Sequence, residues 1–255
     1  MGNSTVLKPE RLDRILANSG LGSRKQVKRI IHSGSVTVNG AMVRDDSFKA
    51  VPGKDTIAVD GKELDVRADA YFMLNKPADY VCATKDGLHS TVLDLFKSDN
   101  HKYLGGTLSP VGRLDIDTEG LLIVTSDGVL NHRLTSPAFH VPKTYLVHLK
   151  DSADEETRRL YTQRLSQGIH IPPEGNEKEA DCLPAELEWS GPENSCVITI
   201  YEGKYHEIKR MFRALGNEVT YLKRLSMGSL SLDPDLKPGE YRPLTEEELN
   251  LLEKI

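Results

Sequence analysis

The spacing of apolar positions shifts along this chain, and each shift predicts a new element. Leu12, Ile15 and Leu16, and later Val27, Ile30 and Ile31, follow the i, i+3, i+4 rhythm of a helix face. Gly20 and Gly34 read as stops for these two helices, and Ser23 as the cap of the second, Arg24 to Ser33. Val36-Thr-Val-Asn-Gly-Ala-Met-Val43 predicts a hairpin turning at Asn39-Gly40, and Ile57 to Val66 predict two short strands around Asp60-Gly61. After a linker at Arg67-Ala-Asp-Ala70, Tyr71-Phe-Met-Leu-Asn-Lys-Pro77 begins a second strand system. Ser90 to Phe96 predict a short helix, Asp99 to Thr107 a loop, and Leu121-Leu-Ile-Val124 a buried strand ended by the turn signal Asp127-Gly128. Lys143 to Leu149 alternate as a strand, Ala153 to Ser166 form a helix with an acidic first turn, and Leu183–Trp189 and Val197–Tyr201 are strands. Glu202 to Gly216 read as strand end, turn and helix, and Thr245-x-x-Glu248 is a capping box opening a C-terminal helix.

Composition narrows the class. With 28% charged and 38% hydrophobic residues the 255-residue chain reads as a soluble globular protein. No apolar run approaches the length of a membrane span, and Met1 to Lys8 lack a signal-peptide core. Cys82, Cys182 and Cys196 are odd in number and widely spaced, which suggests neither a disulfide framework nor a metal site. A monomeric cytoplasmic protein is expected. The net charge of −5 conceals an asymmetry. Residues 1–67 hold 12 Lys+Arg against 8 Asp+Glu, a balance of +4, which leaves −9 for residues 68–255. A basic head on an acidic body points to a polyanionic partner. On the second helix Arg24, Lys25, Lys28 and Arg29 share an arc of roughly 140° that contains no acid.

The densest chemistry lies in Pro110-Val-Gly-Arg-Leu-Asp-Ile-Asp-Thr-Glu-Gly120. Asp115, Asp117 and Glu119 stand at alternate positions between Arg113 and the buried strand. A carboxylate at the end of a buried strand needs a nearby cation to stay ionised, and Arg113 is one candidate. A calcium loop fails at its twelfth position, which is Ser126 instead of a bidentate Glu. A solvated acidic turn fits the spacing as well as a catalytic site does.

Gly112-Arg-Leu-Asp-x-x-Thr-x-Gly-Leu-Leu122 resembles the signature of the pseudouridine synthases, in the ribosomal branch that carries it as G-R-L-D. Tyr71 to Pro77, Lys143-Thr-Tyr145 and Glu202 to Gly216 resemble further blocks of that family, and residues 8 to 60 resemble the S4 RNA-binding domain. The resemblance implies an α+β protein: a small S4 αα-hairpin domain over 1–67, then a mixed, largely antiparallel sheet with flanking helices over 68–255. It implies that Asp115 is catalytic, that Lys209 is its paired cation, that Arg113 replaces the flipped base in the RNA stack, and that Tyr145 is the platform for uracil. Lys76 has either a site role or a structural one. Lys204 and Arg210 join Arg24, Lys25, Lys28 and Arg29 as RNA contacts. No cofactor or metal is expected, because isomerising uridine adds neither electrons nor groups. His132 to Pro137 and Gly203 to Phe212 most resemble the small-subunit ribosomal RNA enzymes, whose target is uridine 516 of 16S RNA. A large-subunit enzyme and a non-catalytic ribosomal RNA-binding assembly factor are the alternatives. Glycoside hydrolysis by Asp115 and Asp117 draws no support from an S4 head.

Overall fold

The computed structural model describes residues 9–19, 21–64, 66, 69–96, 108–189 and 191–254. The expected stop at Gly20, the Arg67 and Ala68 part of the linker and the loop from Asp99 to Thr107 lie outside the described residues. Helices α1 (Leu12–Asn18) and α2 (Arg24–Ser33) meet through Leu12, Ile15, Leu16, Val27 and Ile31, all inaccessible to solvent. Each such side chain contributes roughly 1.5–3 kcal/mol on burial. Ser23 accepts the Gln26 N–H while the Gln26 side chain accepts the Ser23 N–H, and Gly34 ends α2 in the left-handed region. A four-stranded sheet in the order 41–42, 36–38, 57–59, 62–63 closes this small core. Its hairpin turns at Asn39 and Gly40 with φ of 51° and 80°, the mirror-image turn that strand twist favours.

Past Ala70 the described residues form a nine-stranded sheet and a separate two-stranded pair, His170–Ile171 with Ala180–Asp181. The central order is Glu186–Trp189, Ser195–Ile200, Lys143–Leu149, Val219–Met227, Glu119–Thr125, Tyr71–Lys76, Tyr241–Pro243. Every pairing along it is antiparallel except one, the seam between Val219–Met227 and Glu119–Thr125. The sheet is therefore two antiparallel halves joined by a short parallel contact. Helices α4 (Glu155–Ser166) and α5 (Glu207–Ala214) flank one half. Helices α3 (Gly128–Thr135) and α6 (Glu246–Glu253) pack with the other. None of these helices is long and apolar enough to cross a membrane.

Two readings of the sequence are revised and one strand is added. Asp127-Gly128 is not a turn: Asp127 caps α3, accepting the N–H groups of Val129 and Leu130 at 2.9 and 3.2 Å. Asp69 and Ala70 are buried, so the linker ends inside the protein. The nine-residue strand Val219–Met227 went unread because Lys223 and Arg224 interrupt its apolar pattern. The head is tied to the body by Arg14 of α1, whose guanidinium lies 3.4 Å from Asp127 and 3.7 Å from Asp69.

Candidate active site

The parallel seam sets the position of the acidic loop. Across it Gly120 stands opposite Arg224, Arg224 opposite Tyr145, and on the other side Gly120 pairs with Lys76. A side chain at Gly120 would place its Cβ 2.3 Å from the Arg224 carbonyl oxygen, and the backbone there has φ +100°. Only glycine permits this approach. The loop before it is pinned from below by Lys76, which is inaccessible to solvent. Its ammonium donates to the carbonyls of Thr118, Pro77 and Ile116 at 2.7, 3.0 and 3.2 Å. Burial lowers the Lys76 pKa. The structural role of Lys76 is thus clear: it holds the loop that presents Asp115.

Asp115 sits at the mouth of a cleft lined by Tyr145, Ile200, Gly203, His206, Ile208 and Leu222 among others. Lys209 Nζ lies 3.1 Å from Asp115 Oδ2 and 2.6 Å from Asp117 Oδ1, so one ammonium bridges two acids. Burial works against the Lys209 charge, but the hydrogen bond to Asp117 and the charge of Asp115 outweigh it and raise its pKa. Burial pushes Asp117 up, and the hydrogen bond and charge of Lys209, with smaller help from a backbone N–H and His206, together more than reverse this, leaving Asp117 below the usual carboxylate range. His206 approaches Asp115 from the other side, with Nε2 3.7 Å from Oδ1 and Nδ1 3.3 Å from Glu174. It occupies the cap of α5 with φ 46°, stacked on Tyr205.

Tyr145 forms the inner wall and is 6% exposed. Burial raises its phenol pKa, and the charge of neighbouring Arg224 opposes the rise. A β-bulge between Thr144 and Tyr145 adjusts the register against the 219–227 strand at this point. Lys143, two residues earlier, donates to the Val141 carbonyl, and burial brings its pKa down to about 8. A second hollow continues past Tyr145 along Arg113, Ser136, Pro137, Lys143 and Arg224. The two together form an aromatic-floored groove with Arg113, Lys143, Lys209 and Arg224 along it, Asp115 facing it and Glu202 and Glu207 in its wall, an arrangement suited to a splayed-out base and its ribose.

The structure brings Asp115, Lys209 and Tyr145 together. Arg113 also lines the cleft, but it is exposed and forms no ion pair with Asp115 among the described residues, which corrects its expected role as a local counter-ion. Arg210 is corrected more sharply. It is 2% exposed and donates to the carbonyls of Lys178, Pro172 and Tyr205, so it braces α5 and cannot meet RNA. The ammonium of Lys204 is held by Glu202 instead of standing free. On α2, Arg24, Lys25 and Arg29 are exposed, whereas Lys28 lies 3.3 Å from Asp46, an acid supplied by a different segment. Sequence reasoning gave no role to His206, Glu207 or Arg224. The first two lay inside the block already singled out, and Arg224 lay in the unread strand.

A family model described as RNA pseudouridylate synthase matches residues 70–214, and one described as the S4 domain matches residues 10–55. The chain belongs to the RNA pseudouridylate synthase family, and it is a pseudouridine synthase with an S4 domain at its head. It is 47% identical to the uncharacterized RNA pseudouridine synthase YtzG of Bacillus subtilis (strain 168), over 95% of this chain and 98% of that protein. It is 44% identical to the ribosomal small subunit pseudouridine synthase A of Escherichia coli (strain K12), over 94% of this chain and 98% of that protein. A crystal structure of a pseudouridylate synthase, 37% identical, covers 95% of this chain and 99% of its own with a TM-score of 0.63.

Proposed function

We propose that this protein isomerises a uridine of small-subunit ribosomal RNA, uridine 516 of 16S RNA, to pseudouridine, with Asp115 as the catalytic group. The observation that carries this reading is the convergence of Lys209 and His206 on Asp115 beside the Tyr145 wall. The target is supported by similarity to enzymes named for the small ribosomal subunit. The target base must first leave its stack, and Arg113 at the exposed rim is suited to take its place. The uracil face then rests on Tyr145. Cleavage of the N1–C1′ bond builds positive charge on the ribose, which the Asp115 carboxylate stabilises. The freed uracil anion turns within the cleft, C5 bonds to C1′, the C5 proton leaves and N1 takes up a proton, so that atoms and charge balance. Arg24, Lys25 and Arg29 on the S4 head supply phosphate contacts.

The test is pseudouridine formation by the purified protein in a 16S RNA fragment containing uridine 516, compared with Asp115→Asn. The expected result is robust conversion by the natural protein, undetectable conversion by the variant, and equal RNA affinity. Turnover by Asp115→Asn within tenfold of the natural protein would remove Asp115 from the role.

A further inference from the structure

The turn from Tyr201 to His206 joins the Ser195–Ile200 strand to α5, and it carries one wall of the cleft. Beneath it two acids face one another. The Glu202 and Glu207 carboxylates and the Cys182 thiol lie within 4.8 Å of one another. Three of the four carboxylate oxygens have a donor. Glu202 Oε1 accepts the Leu183 N–H at 2.8 Å, Glu202 Oε2 accepts from the Lys204 ammonium, and Glu207 Oε2 accepts the Lys204 N–H at 2.7 Å. The fourth, Glu207 Oε1, is buried with no hydrogen-bond partner among the described residues, in a residue that is only 4% exposed. A bare acceptor there is costly, and two carboxylates in one buried site do not both ionise. A proton on Glu207 resolves both problems. The orphan oxygen becomes a donor, and Glu202 becomes its acceptor. The Lys204 ammonium already provides the local cation, so a metal ion is not needed to hold these acids together.

Electrostatics agree with this placement. Burial first, and the Glu202 charge after it, raise the Glu207 carboxyl to about 7 against the opposing Lys204 N–H and ammonium. Burial also pushes Glu202 up, but the hydrogen bonds from the Lys204 ammonium and the Leu183 N–H, joined by Glu207 and the Lys204 charge, together outweigh it, so Glu202 is the ionised partner. The other titratable groups that sense Glu207 are Cys182 beside it and Lys143 and Tyr145 on the neighbouring strand.

We propose that Glu207 is a positioning residue for the reaction: as a neutral acid it hydrogen-bonds Glu202, closes the 202–207 turn, and so holds His206 and Lys209 against Asp115. The proposal rests on the reading of Asp115 as the catalyst. Ionising Glu207 sets two negative charges under the turn, which opens and withdraws both partners from Asp115.

Glu207→Gln supplies the same shape with a permanent donor toward Glu202 and an acceptor for the Lys204 N–H. Single-turnover pseudouridine formation at saturating RNA should be measured from about pH 6 to about pH 9 for both proteins. The natural protein should lose rate on the alkaline side with a midpoint of about 7, while Glu207→Gln keeps its low-pH rate throughout. Urea unfolding over the same range gives a second readout that needs no activity. The folded state raises this carboxyl from its ordinary 4.5, so its contribution is complete below that value and is lost as pH rises through about 7. Glu207→Gln should lack that loss. Coincident rate profiles overturn the positioning role whatever the urea series shows. A Gln variant that is inactive or unfolded at low pH overturns it too, because Gln satisfies every contact. If neither protein makes pseudouridine, the catalytic reading falls and the positioning role with it, while the urea series still decides whether the proton is shared.

Discussion

Lys209→Met removes the cation that faces Asp115 at hydrogen-bond distance. The ammonium is 3.1 Å from Asp115 with 16% of its side chain exposed, so water screens the pair only in part. The neighbouring acids raise the Lys209 pKa, which makes the side chain a full cation at neutral pH and Met a loss of one whole charge. A hydrogen bond between charged groups contributes about 1.5–3 kcal/mol net. If that interaction is needed in the transition state, the rate falls roughly 10- to 150-fold at 1.36 kcal/mol per decade. Lys209→Arg keeps charge and reach and should recover most of the loss. The assay is single-turnover conversion of a saturating RNA fragment, with RNA affinity measured in parallel. The loss should appear in the rate and leave affinity nearly unchanged. A Met variant within about threefold of the natural rate, or a defect confined to affinity, would refute the pairing as part of catalysis.

Gly120→Ala drives a Cβ into the Arg224 backbone and demands φ of +100° from alanine, so the seam must part. Stability should fall by about 2–4 kcal/mol, and urea unfolding within 0.5 kcal/mol of the natural protein would contradict the close approach. On the S4 head, replacing Arg24, Lys25 and Arg29 by Gln should flatten the slope of log affinity against log salt by about 2 units. Adding Lys28→Gln should change it little further, since Lys28 already faces Asp46 and Asp13; an unchanged slope for the triple variant would mean that this face is only solvated.

Much of this architecture is legible in the sequence because local chemistry dictates it. Ser23, Gly34 and the Asn39-Gly40 pair fix the head through caps and a left-handed turn, and none of them needs tertiary information. The Asp115 loop was legible through its motif, and Lys209 through its place in the 202–216 block. What stayed hidden depends on pairing across the sheet. The Val219–Met227 strand carries two adjacent cations, Lys223 and Arg224, and Arg224 stands on the buried face where alternation would put an apolar residue. Arg224 is nonetheless buried, with its Nε on the Leu121 carbonyl. The burial of Arg210 was equally unreadable: its partners Pro172 and Lys178 lie more than a helix length away in sequence and meet it only once α5 has docked. Charge patterning on a single helix face missed Asp46 for the same reason, because the acid arrives from another segment.

The central claim is that Asp115 isomerises one uridine of small-subunit RNA, and the most direct measurement maps pseudouridine in 16S RNA from cells. The strain to use lacks this gene and is complemented either with the natural protein or with Asp115→Asn. Uridine 516 should be unmodified in the deletion strain, fully modified with the natural protein, and unmodified again with Asp115→Asn. Modification that persists without the gene, or that returns with Asp115→Asn, would contradict that claim.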